Sequence, residues 1–282
     1  MSELINTVIN NKFSIKEIIG SGSFSNVYYC VNVYNNKKYA LKTEPDNTPY
    51  KLLTHETKIL NYLQNKNINI PSIIWYGKHL NFRCLCITKY DMNLIEYINT
   101  NNFSELEIIE IIQQIIYIVQ SIHSNFIIHR DIKPENIMIK DNKCYIIDFG
   151  FSIFYIDENN THINNTNTNN IIGSPKYTSI HIHDGNISSR RDDLISIGYI
   201  LMELIYKELP WSNIPVENDI TYKICNIFNI NNQNKRQLKT YSSINSLTIN
   251  KNLKSYFMYL YNLEFNDKPS YDYIINVLSR TN

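Results

Sequence analysis

Two short runs constrain this chain more than anything else in it. They are His129-Arg130-Asp131-Ile132-Lys133-Pro134-Glu135-Asn136 and, twelve residues past Asn136, Asp148-Phe149-Gly150. The first places an Asp, a Lys two residues on and an Asn three further in one turn-rich loop. Apolar runs flank it, Phe126-Ile127-Ile128 before and Ile137-Met138-Ile139 after, and these read as short buried segments that anchor the loop's ends. Phosphoryl transfer requires such a loop. A carboxylate orients the acceptor hydroxyl, a cation meets the γ-phosphate, and Mg²⁺ takes oxygen ligands. Asp131, Lys133, Asn136 and Asp148 can supply these four functions. A His-Arg-Asp triplet alone is a weak signal. The Asn at this spacing, answered by Asp-Phe-Gly at this interval, is a strong one.

A chain of 282 residues with 43% hydrophobic and 19% charged residues holds one large domain or two lobes sharing a cleft. A net charge of +1 argues against a broad polyanion-binding face, so no direct nucleic-acid partner is expected. The five cysteines, at 30, 84, 86, 144 and 225, show neither metal-ligand spacing nor an even disulfide framework. Cys84 and Cys86 alternate along Arg83-Cys84-Leu85-Cys86-Ile87, as two inward positions of a strand would. The first residues lack a basic run followed by an apolar core, and no 18-residue apolar stretch occurs. The expected setting is a reducing, soluble compartment: the cytoplasm, with nuclear entry open, and no membrane partner. Asn, Ile and Tyr are abundant while Gly and Ala are scarce, which suggests an AT-rich coding sequence.

Residues 13 to 43 read as strands, with a glycine turn at Gly20-Ser21-Gly22-Ser23-Phe24-Ser25 between the first two. Glycines at a hairpin tip let the backbone approach phosphates closely. Lys42 follows on the third strand, and Glu56 lies fourteen residues later in a helical stretch, 55 to 63. A strand Lys paired with a Glu on the packed helix would point its ammonium at the α and β phosphates of ATP. Residues 68 to 74 and 82 to 88 read as two more strands of a small antiparallel sheet. Thr88-Lys89-Tyr90-Asp91 is the expected crossing to a second lobe, its backbone holding the adenine, with Ile87 guarding the pocket behind. From 105 to 123 the apolar residues run almost all round a helix, which marks it as buried. A second buried helix is expected over 193 to 204. The Asn/Thr-rich run from 157 to 170 reads as a mobile surface loop, and the polar stretch from 229 to 235 as an interruption between C-terminal helices.

Over nearly its full length the chain resembles protein kinases of the casein kinase 1 group. The group-specific likeness lies in Gly20-Ser21-Gly22-Ser23-Phe24, Ile70-Pro71-Ser72-Ile73-Ile74-Trp75-Tyr76-Gly77 and Tyr145-Ile146-Ile147-Asp148-Phe149-Gly150. It continues in Ser189-Arg190-Arg191-Asp192-Asp193-Leu194 and Phe265-Asn266-Asp267-Lys268-Pro269. The group has a Ser-Ile-Asn-like triplet after the activation loop where other kinases have Ala-Pro-Glu, and Ser179-Ile180-His181 stands there. The resemblance implies an α+β bilobal kinase fold, with an antiparallel-sheet N-lobe over 1–88 and a mainly helical C-lobe over 89–282, together one kinase domain over 13–282. It implies ATP and Mg²⁺, transfer to Ser or Thr of protein substrates in acidic contexts, and a monomer.

Carried over by position, Asp131 is the catalytic base and Lys133 steadies the transferring phosphate, while Asn136 and Asp148 bind Mg²⁺. Lys42 and Glu56 form the ion pair. Gly20, Ser21, Gly22, Ser23, Phe24, Ser25, Val27, Ile87 and Lys89 complete the nucleotide side, and Asp193 holds the catalytic loop's backbone. Lys176 stands where the group has an Arg that reads acidic or phosphorylated substrates. Three departures accompany the likeness: Ser25 at the third glycine position, an activation loop without basic residues, and acidic residues Glu217 and Asp219 where relatives are basic. Two other function classes stay open, a pseudokinase scaffold and a small-molecule kinase. The absence of sequence beyond the core, with the AT-rich composition, is compatible with a large DNA virus, whose setting would be host cytoplasm, or an AT-rich unicellular parasite.

Overall fold

The computed structural model describes residues 4–22, 25–215 and 224–280. The chain divides into two compact units, 1–91 with 147–150, and 92–146 with 151–282. In the first, strands β1 (Val8–Ile9), β2 (Phe13–Ser21), β3 (Asn26–Asn32), β4 (Lys38–Pro45), β5 (Ile73–His79) and β6 (Phe82–Thr88) form one sheet. Its order is β1-β2-β3-β4-β6-β5, and every pairing is antiparallel. One face carries a dry core of Phe13, Ile15, Tyr28, Cys30, Leu41, Cys84 and Cys86, against which Trp75 and Tyr39 pack. Helix α1 (Leu52–Leu63) packs on β4, β5 and β6, and buries Leu53, Glu56, Leu60 and Leu63. Side chains alternate across a strand, so Leu41 enters the dry core while Lys42 and Glu44 share the opposite side.

The fifth strand begins at Ile73, five residues later than expected. Pro71 lacks the N–H a ladder needs and Asn67 has φ +54°, so residues 68–72 remain a connection. Cys84 and Cys86 are fully buried, and all five cysteines are free thiols.

The second unit opens with β7 (Met92–Asn93) and α2 (Leu94–Thr100), then the long α3 (Glu105–Ser124). A capping box starts α3: the Ser104 hydroxyl accepts the Glu107 N–H, and the Glu107 carboxylate accepts the Ser104 N–H. Nine apolar residues of α3 and His123 are buried, as a nearly all-round apolar pattern requires. After β8 (Ile127–Ile128), strands β9 (Ile137–Lys140) and β10 (Lys143–Ile146) form a hairpin, and β11 (Ile153–Phe154) pairs with β8. β12 (Asn170–Ile172), α4 (Ile180–His183) and α5 (Arg190–Tyr206) follow. β13 (Ile224–Asn226) pairs with β12, then come α6 (Ile230–Leu238), α7 (Tyr241–Leu247), α8 (Lys251–Tyr261) and α9 (Tyr271–Leu278). α5 packs between α3 and α8, and α9 rests on α3 and α8.

One expectation, that of the polar stretch from 229, is corrected. The Asn/Thr run lies at the surface, as expected, and is shaped by its own hydrogen bonds. The Asp157 carboxylate accepts the Asn159 and Thr161 N–H groups, and Thr168 N–H donates to the Gly185 carbonyl. His162 lies between the Tyr155 and Phe265 rings at 5.2 and 5.1 Å. Short polar side chains make their own turns, so such a stretch is fixed by hydrogen bonds without an apolar core. The polar stretch from 229 is helix α6, capped by Asn229, whose side chain accepts the Asn231 N–H. It buries Lys235, whose ammonium ends on the Pro215 carbonyl.

The close packing of α5 on α8 rests on Gly198. A Cβ there would lie 2.7 and 2.8 Å from ring atoms of Phe257 and Tyr256, both fully buried. Gly198→Ala should gain about 1 kcal/mol of helix propensity but lose about 1–3 kcal/mol to overpacking. We expect a net fall in melting temperature, read by thermal unfolding. An unchanged or higher value would mean the rings make room.

Candidate active site

Three charged groups meet in the first unit. The Lys42 ammonium on β4 donates to both carboxylate oxygens of Glu56 on α1, each at 2.8 Å, and to Asp148 Oδ1 at 3.2 Å. Burial alone would push the Lys42 ammonium down, but Asp148 and then Glu56 outweigh it and hold the group above its ordinary value. Lys42 is therefore a fixed cation. Asp148 has φ +69°, a strained backbone for a non-glycine residue, and its carboxylate is about a quarter exposed. Gly20 pairs with Val27, and Val27 with Lys42, across neighbouring strands. Gly22 N–H donates to the Ser25 carbonyl at 2.9 Å, and the Ser21 hydroxyl donates to Asn26 Oδ1. Ser23 and Phe24 lie outside the described residues. Ile87 pairs with Ala40 and is buried. Lys89 donates to the Tyr90 carbonyl and lies over the Tyr29 ring at 5.9 Å.

In the second unit the loop at 129–136 is held from beneath by Asp193 of α5. Its Oδ2 accepts the His129 N–H at 2.7 Å, and its Oδ1 accepts the Arg130 N–H at 2.9 Å. His123 Nε2 lies 3.0 Å from Oδ2, with its other ring nitrogen bonded to the Tyr271 hydroxyl at 2.7 Å. Burial would raise the Asp193 carboxyl, but the hydrogen bond and charge of His123 and the backbone donors hold it below its ordinary value. Arg130 has φ +72°, and burial brings its guanidinium down to about 10.

Asp131 is buried at the centre of this loop. Its Oδ1 accepts the Ser174 hydroxyl at 2.8 Å, and its Oδ2 accepts Asn136 Nδ2 at 3.0 Å. Lys133 Nζ donates to Ser174 Oγ at 3.1 Å and stands 3.5 Å from Asp131 Oδ2. Asn136 Nδ2 also donates to the Asp131 carbonyl, which turns its amide oxygen away from the carboxylate. Asp131, Lys133 and Asn136 thus converge, joined by Ser174, which sequence reasoning missed.

Gly173 explains how Ser174 arrives. It has φ +101°, and a Cβ there would stand 2.4 Å from the Arg130 carbonyl oxygen. Only glycine lets this backbone lie directly on the 129–136 loop. A glycine in a chain that has seven, just before a Ser-Pro pair, was the available signal.

Residues 175–179 are fastened to the helices below. Lys239 is fully buried, and its ammonium donates to the Pro175 and Thr178 carbonyls at 2.8 and 2.6 Å. The rings of Tyr199 and Trp211 cage it, each 5.0 Å away. Trp211 Nε1 donates to the Lys176 carbonyl, and the Ser179 hydroxyl donates to Asp192 Oδ1. Lys176 ion-pairs with Glu203 at 2.5 Å, and Glu203 also accepts the Tyr177 hydroxyl. Its charge is therefore already engaged. Arg190 and Arg191 donate to the Asn266 and Leu263 carbonyls and tie α5 to the 263–266 turn. Glu217 and Asp219 lie outside the described residues.

The fold and these two groups of residues are those of a protein kinase. The protein kinase domain model matches residues 13–277, and the chain belongs to that family. Its architecture is the bilobal kinase fold, an antiparallel-sheet lobe and a mainly helical lobe.

Asp193→Ala would leave the His129 and Arg130 N–H groups without their partner inside the protein. Removing one side of a buried charged network costs about 3–5 kcal/mol, and a loss of that order should appear in denaturant unfolding. The carboxyl is depressed in the folded protein, so its contribution is present above the unfolded value near 3.9 and is lost as pH falls through the folded one. The alanine variant should accordingly lose less stability below about pH 4 than the wild type does. Identical acid profiles would refute the assignment.

Proposed function

We propose that this chain is an active Ser/Thr protein kinase of casein kinase 1 type that uses ATP and Mg²⁺. The observation that carries the reading is the Asp131 carboxylate, which already accepts a hydroxyl proton, that of Ser174, at 2.8 Å. An acceptor Ser or Thr hydroxyl would make the same bond. Its oxygen attacks the γ-phosphorus, the bond from phosphorus to the β-bridging oxygen breaks, and ADP leaves. Asp131 takes the proton. Lys133, donating beside it, meets the charge on the transferring group. Lys42, fixed by Glu56, meets the α and β phosphates.

The residues also suit Mg²⁺. Among the described residues no three His, Cys, Asp or Glu side chains gather as a metal cluster. Mg²⁺ in phosphoryl transfer is held through one or two protein oxygens and the nucleotide's own phosphates. Asp148 offers a partly exposed carboxylate, and Asn136 an amide oxygen oriented by its bonds to Asp131. When bound, the ion neutralises phosphate charge; Asp148 and Asn136 would hold it. On this proposal acidic acceptor contexts are read by Lys176 in competition with Glu203, so the preference is mild. The proposed setting is the cytoplasm. No helix among the described residues is long and apolar enough to cross a membrane.

Transfer of labelled γ-phosphate to casein, beside small alcohols, tests the reading. Asp131→Asn should lower kcat on the order of 10²-fold or more, since a positioned base contributes that much. Asp148→Asn should weaken Mg²⁺-ATP binding itself. Binding of nucleotide without transfer would favour the pseudokinase alternative, which Ser25 in the nucleotide loop supports. Transfer only to small alcohols would favour a small-molecule kinase.

The loop between 151 and 170 contains no Lys or Arg that could pair with a phosphate placed on it. Enzyme made in bacteria and stripped by phosphatase should therefore remain active. Activity that appears only after loop phosphorylation would contradict this.

A further inference from the structure

Helix α1 carries Glu56, yet its own start is poorly made. The cap residue Lys51 gives no side-chain hydrogen bond, and the first turn contains no acidic residue. A helix begins with four N–H groups that have no partner within it, and a cation there opposes the helix dipole. The missing acceptor comes from the sheet. Glu44, on β4, is 1% exposed, and its Oε1 accepts the Leu53 N–H at 3.1 Å. Its other oxygen accepts Arg83 Nη1 at 3.2 Å from the paired position on β6. Arg83 in turn donates to the Asp46 carbonyl at 2.9 Å and ion-pairs with its carboxylate, which also meets Lys78 at 2.8 Å. Lys78 is the β5 partner of Arg83. The four charges cancel, so Glu44 is buried without leaving an unpaired ion.

We infer that Glu44 is a positioning residue: it holds α1 at the place and rotation where Glu56 meets Lys42. Lys42 and Glu44 are two residues apart on one side of β4, about 6.6 Å along the strand. Leu53 and Glu56 are three apart on α1, about 4.5 Å along its axis. One strand therefore grips one helix at two points. Apolar packing seats α1 on the sheet without direction, and the Lys42–Glu56 and Glu44–Leu53 contacts add two directional points that fix its rotation. This makes the ion pair a built-in property of the sheet and helix rather than one awaiting a signal. The inference rests on the reading of Lys42 as the phosphate-binding group.

A double-mutant cycle with Glu56 tests it. Glu44→Ala should lower kcat/KM for ATP on the order of tenfold to a hundredfold, the cost of a catalytic group displaced by about 1 Å. In a Glu56→Ala background the same change should cost no more than about twofold, because its route of action is already gone. Amide exchange at Leu53 should rise in both backgrounds. If Glu44→Ala does not fold, the cycle is run with Glu44→Met/Arg83→Met, which keeps volume and leaves no buried charge unpaired. Should the wild type transfer no phosphate, the proposed function fails, and the same cycle is then read by ATP dissociation constants. A loss carried in full into the Glu56→Ala background, or no loss in the parent, overturns the positioning role.

Discussion

The 129–136 loop of this protein hangs on one buried carboxylate. Asp193 receives the His129 and Arg130 amides from above, and His123 supports it from α3. A loop with positive φ at Arg130 has no ladder of its own to hold it, so its shape must be imposed from outside. Asp193 imposes it. Asp131 then takes its direction from the loop, Asn136 and Lys133 take theirs from Asp131, and Gly173 lies on the resulting surface to bring Ser174 into contact. The dependence runs one way, from α5 upward.

The two units solve the burial of charge differently. The sheet unit spends carboxylates: Glu56 and Asp148 around Lys42, Glu44 and Asp46 around Arg83. Each buried cation there has an anion within hydrogen-bond reach, as low dielectric demands. The helical unit buries Lys239 against two carbonyls and two aromatic rings. Burial pushes that ammonium well below its ordinary value, and Lys235 adds to the shift. Main-chain dipoles and ring faces take the place of a counterion.

Much of this was legible in the residues. The spacing of His129, Asp131, Lys133 and Asn136 singled out side chains that do converge, because they lie in one local turn. Lys42 and Glu56 were legible because the Lys follows a glycine turn on a strand and the Glu lies in the next helical stretch, the pairing that a phosphate-binding lysine needs. The long apolar pattern marked α3 as buried for the same reason. Features that need a partner far along the chain were not legible. Glu44 looks like any polar strand residue until β4 is placed in register with Arg83 and next to α1. Helix α6 was hidden because its inward residues, Asn232 and Lys235, are polar, so no apolar stripe marked its buried face. Lys176 read as a free cation because Glu203 lies twenty-seven residues away, on α5.

The Lys239 anchor grips the 175–178 segment only by its backbone oxygens. Carbonyls are the same whatever side chain they carry. That hold survives a change of side chain at these positions, whereas the bonds of Lys176 and Tyr177 to Glu203 do not. The segment is thus moored twice, once by its backbone and once by its side chains, and only the second mooring is open to loss by single substitution.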